Sequence, residues 1–458
     1  MARHRRKIQK SSEEIQPELG GGTLTIERLA HGGYGVGHLH GLTVFVPRTA
    51  PGDLVAIRLT EQRRRYAFGE VTDLLQASPL RVLPPCPLYA QCGGCHLQHL
   101  DYAQQLRHKT VQVQEALARL GKLPDLPVLP MLPSPLPYAY RNKVLYHYTA
   151  RSGALGLVAR SGAGILDIPQ CLLNDTQADA VLAQVRALAA SQPELRQALH
   201  QVQVQLGQRS AEILLTLIVR QALSPALCQI LWAQLQERVH GLYMHVKHRD
   251  TPEVFAGETQ LLAGEGVIHE QVGNVRFRIE PEAFFQVNTV QMERLYALVQ
   301  EAAALRGQEQ VFDLYSGGGT IALTLAPGCA QVYGIELNRQ ATLLAMQQAA
   351  ALGMSNCTFR TGKVERLVQR YLAEGVRADV AVLDPPRAGC QPEALQALAL
   401  MRVPRLVYVS CSPPTLARDL RLLHDLGYRT LDVQPVDMFP QTYHIECVTT
   451  LVRQSLRP

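Results

Sequence analysis

The chain has 458 residues, of which 47% are apolar and 18% charged, and its formal net charge is +6. That length allows roughly two to four domains with a sizeable core, and the composition is that of a globular protein. No run of about 18 uncharged apolar residues occurs, which excludes a membrane-spanning helix, and no apolar stretch follows the basic residues 3–7, which excludes a secretory signal. The expected location is cytoplasmic with no membrane partner, so the ten cysteines are expected to be reduced thiols, ligands or catalytic groups.

Residues 1–18 are polar and basic and read as a disordered tail. From residue 19 to 77 the pattern changes to short alternating strands, at 23–27, 44–46, 54–59 and 66–71, punctuated by Gly32, Gly33, Gly35, Gly37, Pro47 and Pro51-Gly52. About five such strands make a small OB-like barrel, a common nucleic-acid platform. Val44-Phe-Val-Pro-Arg-Thr-Ala-Pro-Gly-Asp53 resembles a TRAM domain, the RNA-binding barrel carried by RNA-modifying enzymes. Arg63-Arg64-Arg65 is a cluster suited to phosphates, as is Arg141-Asn-Lys143 further on.

Residues 78–280 read as a central α+β domain. It opens with Cys86-Pro-Leu-Tyr-Ala-Gln-Cys92-Gly-Gly-Cys95, three thiols that a tight Gly93-Gly94 turn can bring to one metal centre. Such ligation suits Zn²⁺ or a [4Fe–4S] cluster; zinc sites more often pair their cysteines at C-x₂₋₄-C, so this spacing leans to iron–sulfur. A helix follows at 102–120, within a helical segment 100–122 placed to pack on the catalytic domain. Strands are expected at 144–148, 212–219 and 275–279, and helices near 175–190 and 225–238.

Residues 281–458 alternate apolar strands with helices, the pattern of a doubly wound, Rossmann-like sheet. Strand 311–315 runs through the loop Ser316-Gly317-Gly318-Gly319 into a helix, and glycines at a strand-to-helix turn let a ligand approach a positive helix end. The next strand ends in Glu336, placed to accept from ribose hydroxyls. There is no second phosphate-binding glycine pattern and no Walker lysine, which points to S-adenosylmethionine; a dinucleotide enzyme is the competing reading. Strand 379–383 delivers Asp384 before a rigid Pro-Pro. The β-branched run 406–410 delivers Cys411 to the same edge, and Phe439-Pro-Gln-Thr-Tyr-His444-Ile-Glu446 brings a carboxylate late in the fold. A thiol with an unshifted pKa of ~8.5 is partly thiolate at neutral pH, so Cys411 and Glu446 read as nucleophile and base.

With these residues in place, the chain resembles the RNA uracil-5-methyltransferase family from residue 20 to about 453. Four motifs carry the likeness: Phe284-Phe-Gln286-Val-Asn288, the glycine loop with Glu336, Asp384-Pro-Pro-Arg387-Ala-Gly389 leading to Cys411, and Val436-Asp-Met-Phe-Pro-Gln-Thr-Tyr-His-Ile-Glu446. The resemblance implies that Cys411 is the nucleophile and Glu446 the base, with Gln286, Tyr315, Gly317, Glu336 and Asp384 lining the cofactor and uracil pocket. The likeness to the ribosomal-RNA branch implies 23S rRNA as partner and a [4Fe–4S] cluster held by Cys86, Cys92, Cys95 and Cys171. No obligate protein partner is expected, so the chain reads as a monomer.

The tRNA branch is the alternative enzyme, and an RNA-binding assembly factor on an inactive methyltransferase fold the alternative of another class. Departures from the family occur at Ser316, Ser412 and Lys363, and no adenine contact is carried onto Lys363. Cys228, Cys329, Cys357, Cys390 and Cys447 read as core thiols.

Overall fold

A computed structural model describes residues 20–249, 251 and 253–454. The basic tail expected at 1–18 lies outside the described residues. Two compact units meet at Val82–Leu83.

The first unit is a six-stranded sheet: β1 (Gly21–Thr25), β2 (Arg28–Ala30), β3 (Tyr34–Leu39), β4 (Leu42–Pro47), β5 (Leu54–Gln62) and β6 (Tyr66–Gln76), in the order β1-β5-β6-β4-β3-β2. Two-residue alternation turns Leu24, Val44, Val46, Val55, Ile57 and Ala67 into one small core. The sheet curls until β3 meets β1: a Cβ on Gly37 would lie 2.4 Å from the Thr25 carbonyl oxygen, so no larger residue fits there. Burial alone would raise the Asp53 carboxyl. Instead Arg81 and the N–H groups of Ala50 and Ser78, all bonded to it, hold it below the usual range. Those bonds tie residues 78–81 to the barrel, so the unit runs past residue 77.

The second unit contains both the central and the catalytic regions. Its first helix, α1 (Tyr102–Arg119), is N-capped by Asp101. A seven-stranded, mainly antiparallel sheet follows, built from β7 (Lys143–Tyr148), β8 (Leu155–Val158), β9 (Ile165–Asp167), β10 (Leu199–Leu206), β11 (Ile213–Val219), β12 (Gly241–Lys247) and β13 (Gly257–Gly264). The helices α2 (Thr176–Ser191) and α4 (Pro225–Leu235) cover its apolar face, and the short α3 (Pro193–Ala198) precedes β10. On the other face Gln203 donates to the Pro281 carbonyl, 2.8 Å away. The strand expected at 275–279 of the central domain is β15 (Val275–Ile279), in a hairpin with β14 (Ile268–Val272). The hairpin buries instead among Met292, Leu295 and Val299 of α5 (Thr289–Ala303).

The catalytic sheet comprises β16 (Gln310–Leu314), β17 (Gln331–Glu336), β18 (Cys357–Thr361), β19 (Val380–Leu383), β20 (Arg405–Ser410), β21 (Tyr428–Val436) and β22 (Glu446–Arg453). The strand order is β18-β17-β16-β19-β20-β22-β21; the first five run parallel, and β22 is antiparallel to both its neighbours. Between the strands lie α6 (Thr320–Leu325), α7 (Arg339–Ala351), α8 (Val364–Ala373), α9 (Pro392–Met401) and α10 (Pro413–Asp425). Buried on both faces, β19 and β20 are continuous apolar runs, as a parallel sheet between helix layers requires.

The helix α1 packs its Val113, Ala116 and Leu117 with Leu416, Ala417 and Leu420 of α10. A fully buried ion pair, Lys109 Nζ to Asp437 Oδ1 at 2.5 Å, and the Tyr102 hydroxyl on Asp437 Oδ2 at 2.8 Å, fasten α1 to the segment before β22.

Candidate active site and cysteine cavity

Strand order reverses at β16, so the crevice between the carboxyl ends of β16 and β19 is where an open α/β sheet takes a ligand. Every expected site residue of the catalytic region reaches that edge. Tyr315 and Gly317 follow β16, Glu336 ends β17, Asp384 follows β19, Cys411 follows β20, and Glu446 opens the antiparallel β22. Together with Gln286 they line one cavity of about 1050 Å³.

Local bonds position each group. The Glu336 carboxylate accepts from the Gly317 N–H at 3.0 Å and the Asn338 N–H at 2.7 Å, which locks the glycine loop to the end of β17. Gly319 caps α6 with φ +80°, a left-handed conformation suited to glycine. Gln286 is held by its neighbours: Asn142 donates to its carbonyl at 2.9 Å, and Asn288 caps α5 while donating to the Met438 carbonyl at 3.1 Å.

The electrostatics differ from the sequence expectation. Burial, then the Glu446 and Asp384 carboxylates, push the Cys411 thiol up to about 11 against the pull of Arg387. The resting sulfur is therefore a thiol, not the partly ionised group that an unshifted value gives. Burial also raises Asp384 to about 7 and, with Asp384 beside it, Asp313 to about 7; burial and Asp384 raise Glu446 well above the ordinary range. His444, between the rings of Phe439 and Tyr443, is pushed down to about 4 by burial and then by Arg387, so it is neutral.

Asp313, Tyr296, Arg387 and His444 line the cavity although no role was assigned to them from sequence. Asp313 was hidden in an apolar strand. Its Oδ1, and Ser316 Oγ at the same floor, are buried without a partner among the described residues, and so are free for a ligand. Of the departures, Ser412 makes no side-chain cap on α10, and Lys363 lines the cavity mouth beside Glu365 at 4.0 Å.

A second cavity, of about 230 Å³, lies in the central region and is lined by Cys86, Cys92, Cys95 and Cys171 together. None of the four is in a disulfide. Among the described residues no three His, Cys, Asp or Glu groups converge closely enough to grip a single ion. Burial pushes the Cys95 thiol up to about 12. Arg160 donates to the Cys92 and Cys95 carbonyls at 3.0 and 2.9 Å, fixing the tight turn. Arg141 and Lys143 also contribute to its wall, but the Lys143 ammonium turns away from the cysteines and donates to the Ala283 carbonyl. Burial lowers its ammonium to about 8. Lys143, expected to suit a phosphate, is thus turned inward and not placed to contact an RNA phosphate.

Residues 160–454 match the tRNA (uracil-5-)-methyltransferase family and residues 23–72 match the TRAM domain. An uncharacterized RNA methyltransferase of Halalkalibacterium halodurans is 39% identical over 444 residues, covering 93% of this chain and 96% of its own. One from Thermosynechococcus vestitus is 38% identical, with 93% and 97% covered. The tRNA (uracil-54, C5)-methyltransferase of Pyrococcus abyssi, solved with S-adenosyl-L-homocysteine, superposes with a TM-score of 0.76 at 25% identity, over 94% of this chain and 99% of its own. A SAM-type methyltransferase sheet with Cys411 and Glu446 together at its carboxyl edge defines the class. The chain belongs to the tRNA (uracil-5-)-methyltransferase family and carries a TRAM domain. Among the described residues no helix is long and apolar enough to cross a membrane.

Proposed function

We propose that this chain methylates C5 of a uridine in RNA, using S-adenosylmethionine, through a covalent adduct on Cys411. The observation that carries the reading is the meeting of Cys411, Glu446 and Asp384 with the Glu336–Gly317 loop in one cavity. Uracil C5 is a weak nucleophile. Cys411 first gives up its Sγ–H proton to solvent; the thiolate pair then forms the C6–S bond, and the C5–C6 π pair moves toward O4, which makes C5 an enolate carbon. Bound S-adenosylmethionine supplies an electrophilic methyl group, and its sulfonium charge favours the ionised forms of Asp313, Asp384 and Glu446, whose carboxyls burial raises. Once C5 carries the methyl, Glu446 takes the C5 proton, the C6–S bond breaks and the thiolate leaves. Asp384 borders the uracil side, and Gln286, Tyr315, Gly317 and Glu336 hold the cofactor. The target base must leave its stack, which costs a few kcal/mol and least in a loop.

For the target we favour a uridine of 23S rRNA, on the resemblance of the barrel and cysteine cluster to the ribosomal branch. The tRNA reading gains from the Pyrococcus abyssi neighbour, which spans nearly the whole chain, barrel included. The barrel therefore does not separate the two. Transcripts of 23S rRNA and tRNA, incubated with labelled S-adenosylmethionine and digested to nucleosides, decide the matter. Label in 5-methyluridine of only one transcript names the substrate, and label in any other nucleoside refutes the uracil-C5 assignment.

We propose further that Cys86, Cys92, Cys95 and Cys171 hold a [4Fe–4S] cluster. Four free thiols around one cavity are the donor set such a cluster takes. A single zinc would draw four sulfurs to about 2.3 Å of one point, whereas a cluster spreads them around a larger body. Arg141 at the wall, whose charge acts on Cys95 and Cys171, offsets the negative charge of a thiolate-ligated centre. The cluster's part in this reading is structural, with no step of the reaction passing through it.

A further inference from the structure

The barrel carries an aromatic face that its core does not use. Tyr34 on β3, Phe45 on β4, and Tyr66 and Phe68 on β6 alternate with inward residues such as Val44, Val46 and Ala67, so their rings share the opposite face. Register gathers them: Phe45 pairs with Phe68 across β4–β6, and Thr43 with Tyr66. Ring centroids lie 5.5 Å apart for Tyr34–Phe68 and Phe45–Phe68, 5.8 Å for Tyr66–Phe68 and 5.9 Å for Phe45–Tyr66. Most of these contacts are edge-to-face, so the rings do not stack on one another. Tyr66 is 39% exposed and the other three are half-buried.

Charge selects the occupant. Arg63, Arg64 and Arg65 directly precede Tyr66 in the β5–β6 turn and are all exposed. Arg63 pairs with Glu61, but Arg64 and Arg65 form no ion pair among the described residues. The next outward residue after Phe68, Glu70, is paired with Arg58 at 3.3 Å and adds no free negative charge. Aromatic rings beside unpaired guanidinium groups are the combination that holds single-stranded nucleic acid, with bases on the rings and phosphates on the cations. A duplex keeps its base faces within its own stack and offers them nothing.

We propose that Tyr34, Phe45, Tyr66 and Phe68 form a stacking platform for unpaired nucleotides of the RNA substrate, with Arg64 and Arg65 on the adjoining phosphates. The proposal rests on the RNA-methyltransferase reading and adds a preference for single-stranded segments of the substrate.

The test uses the full chain with two fluorescent probes read by anisotropy at several salt concentrations. One is a single-stranded uridine-rich RNA of about a dozen nucleotides, and the other a duplex of the same length. Tyr66→Ala and Phe45→Leu should each weaken the single strand about fivefold or more, leaving duplex binding and the salt slope unchanged. Tyr66→Trp should bind as the wild type does. Arg64→Ala with Arg65→Ala should weaken both probes and lower the salt slope by roughly 0.7 per arginine. Should Tyr66→Ala disturb the barrel, Tyr66→Leu keeps the bulk without the ring and gives the same readout. Single-strand affinity unchanged in Tyr66→Leu, or lost equally for both probes, overturns the platform. Wild-type protein that binds neither probe overturns the RNA reading itself.

Discussion

Cys411 and Glu446 face each other across β20 and β22: Ser410 is in register with Cys447, so the residues one step beyond are opposite neighbours at the sheet's carboxyl edge. Two acidic groups so placed, with Asp384 beside both, cannot all ionise in the closed pocket, and the protons they carry belong to the set. The Cys411 and Glu446 protons are therefore coupled before any substrate arrives.

That coupling should appear in cofactor binding. Asp313 and Asp384 are raised to about 7 in the free protein, and a bound sulfonium cation would lower both. The bound state then carries fewer protons, so affinity for S-adenosylmethionine should rise as pH climbs toward 7. S-adenosylhomocysteine, without the sulfonium charge, should show a flatter profile. Calorimetric titration of both ligands in buffers from pH 5.5 to 8 measures this; superimposable profiles would count against a carboxylate-lined methyl site.

The same two groups have a consequence for stability. Their folded values exceed the unfolded one of 3.8, so the folded chain binds more protons across that window. Stability contributed by the protonated forms is fully present below the unfolded value and lost as pH rises toward about 7. Asp384→Asn should flatten this decline, seen as a smaller drop in Tm between pH 5 and pH 8 than in the wild type. An unchanged drop would mean that Asp384 keeps an ordinary pKa.

Lys109 and Asp437 are both fully buried, so removing one partner strands the other charge. Lys109→Met should destabilise the second unit by about 3–5 kcal/mol. Replacing both, with Lys109→Met and Asp437→Asn, should recover part of that loss. Because Asp437 precedes the segment bearing His444 and Glu446, the single variant should also lower kcat more than it raises KM. Urea unfolding with parallel methyl-transfer kinetics tests both effects.

The second cavity gives a colour test. Anaerobically purified protein should be brown, with about four irons and four sulfides per chain, and serine at Cys86, Cys92, Cys95 or Cys171 should bleach it. One zinc per chain and no iron would replace the cluster reading with a mononuclear one.

Much of this was legible in the sequence because burial and backbone geometry leave local marks. The β-branched run ending at Cys411, the Pro-Pro after Asp384 and the glycine loop each announce their place at the sheet edge. β10 was missed although Val202, Val204 and Leu206 alternate with Gln201, Gln203 and Gln205; the structure buries both sets. Lys143 was misjudged for a related reason. In a run of charges nothing distinguishes a cation facing solvent from one turned inward, and strand alternation puts Lys143 on the face opposite Val144, where it bonds the Ala283 carbonyl. Nor does a one-dimensional pattern carry the charge environment that moves Cys411, since Glu446 reaches it only through the antiparallel return of β22.

The most direct test of Cys411 as nucleophile and Glu446 as base is covalent trapping on denaturing gels. RNA carrying 5-fluorouridine at the target, with S-adenosylmethionine present, should form a stable protein–RNA adduct, because fluorine at C5 cannot leave as a proton. Cys411→Ala should give none, and Glu446→Gln should accumulate adduct even on unmodified RNA, because its methylated intermediate cannot lose the C5 proton. A persistent adduct in Cys411→Ala, or wild-type methylation of uridine with no adduct on the fluorinated RNA, would contradict the covalent account.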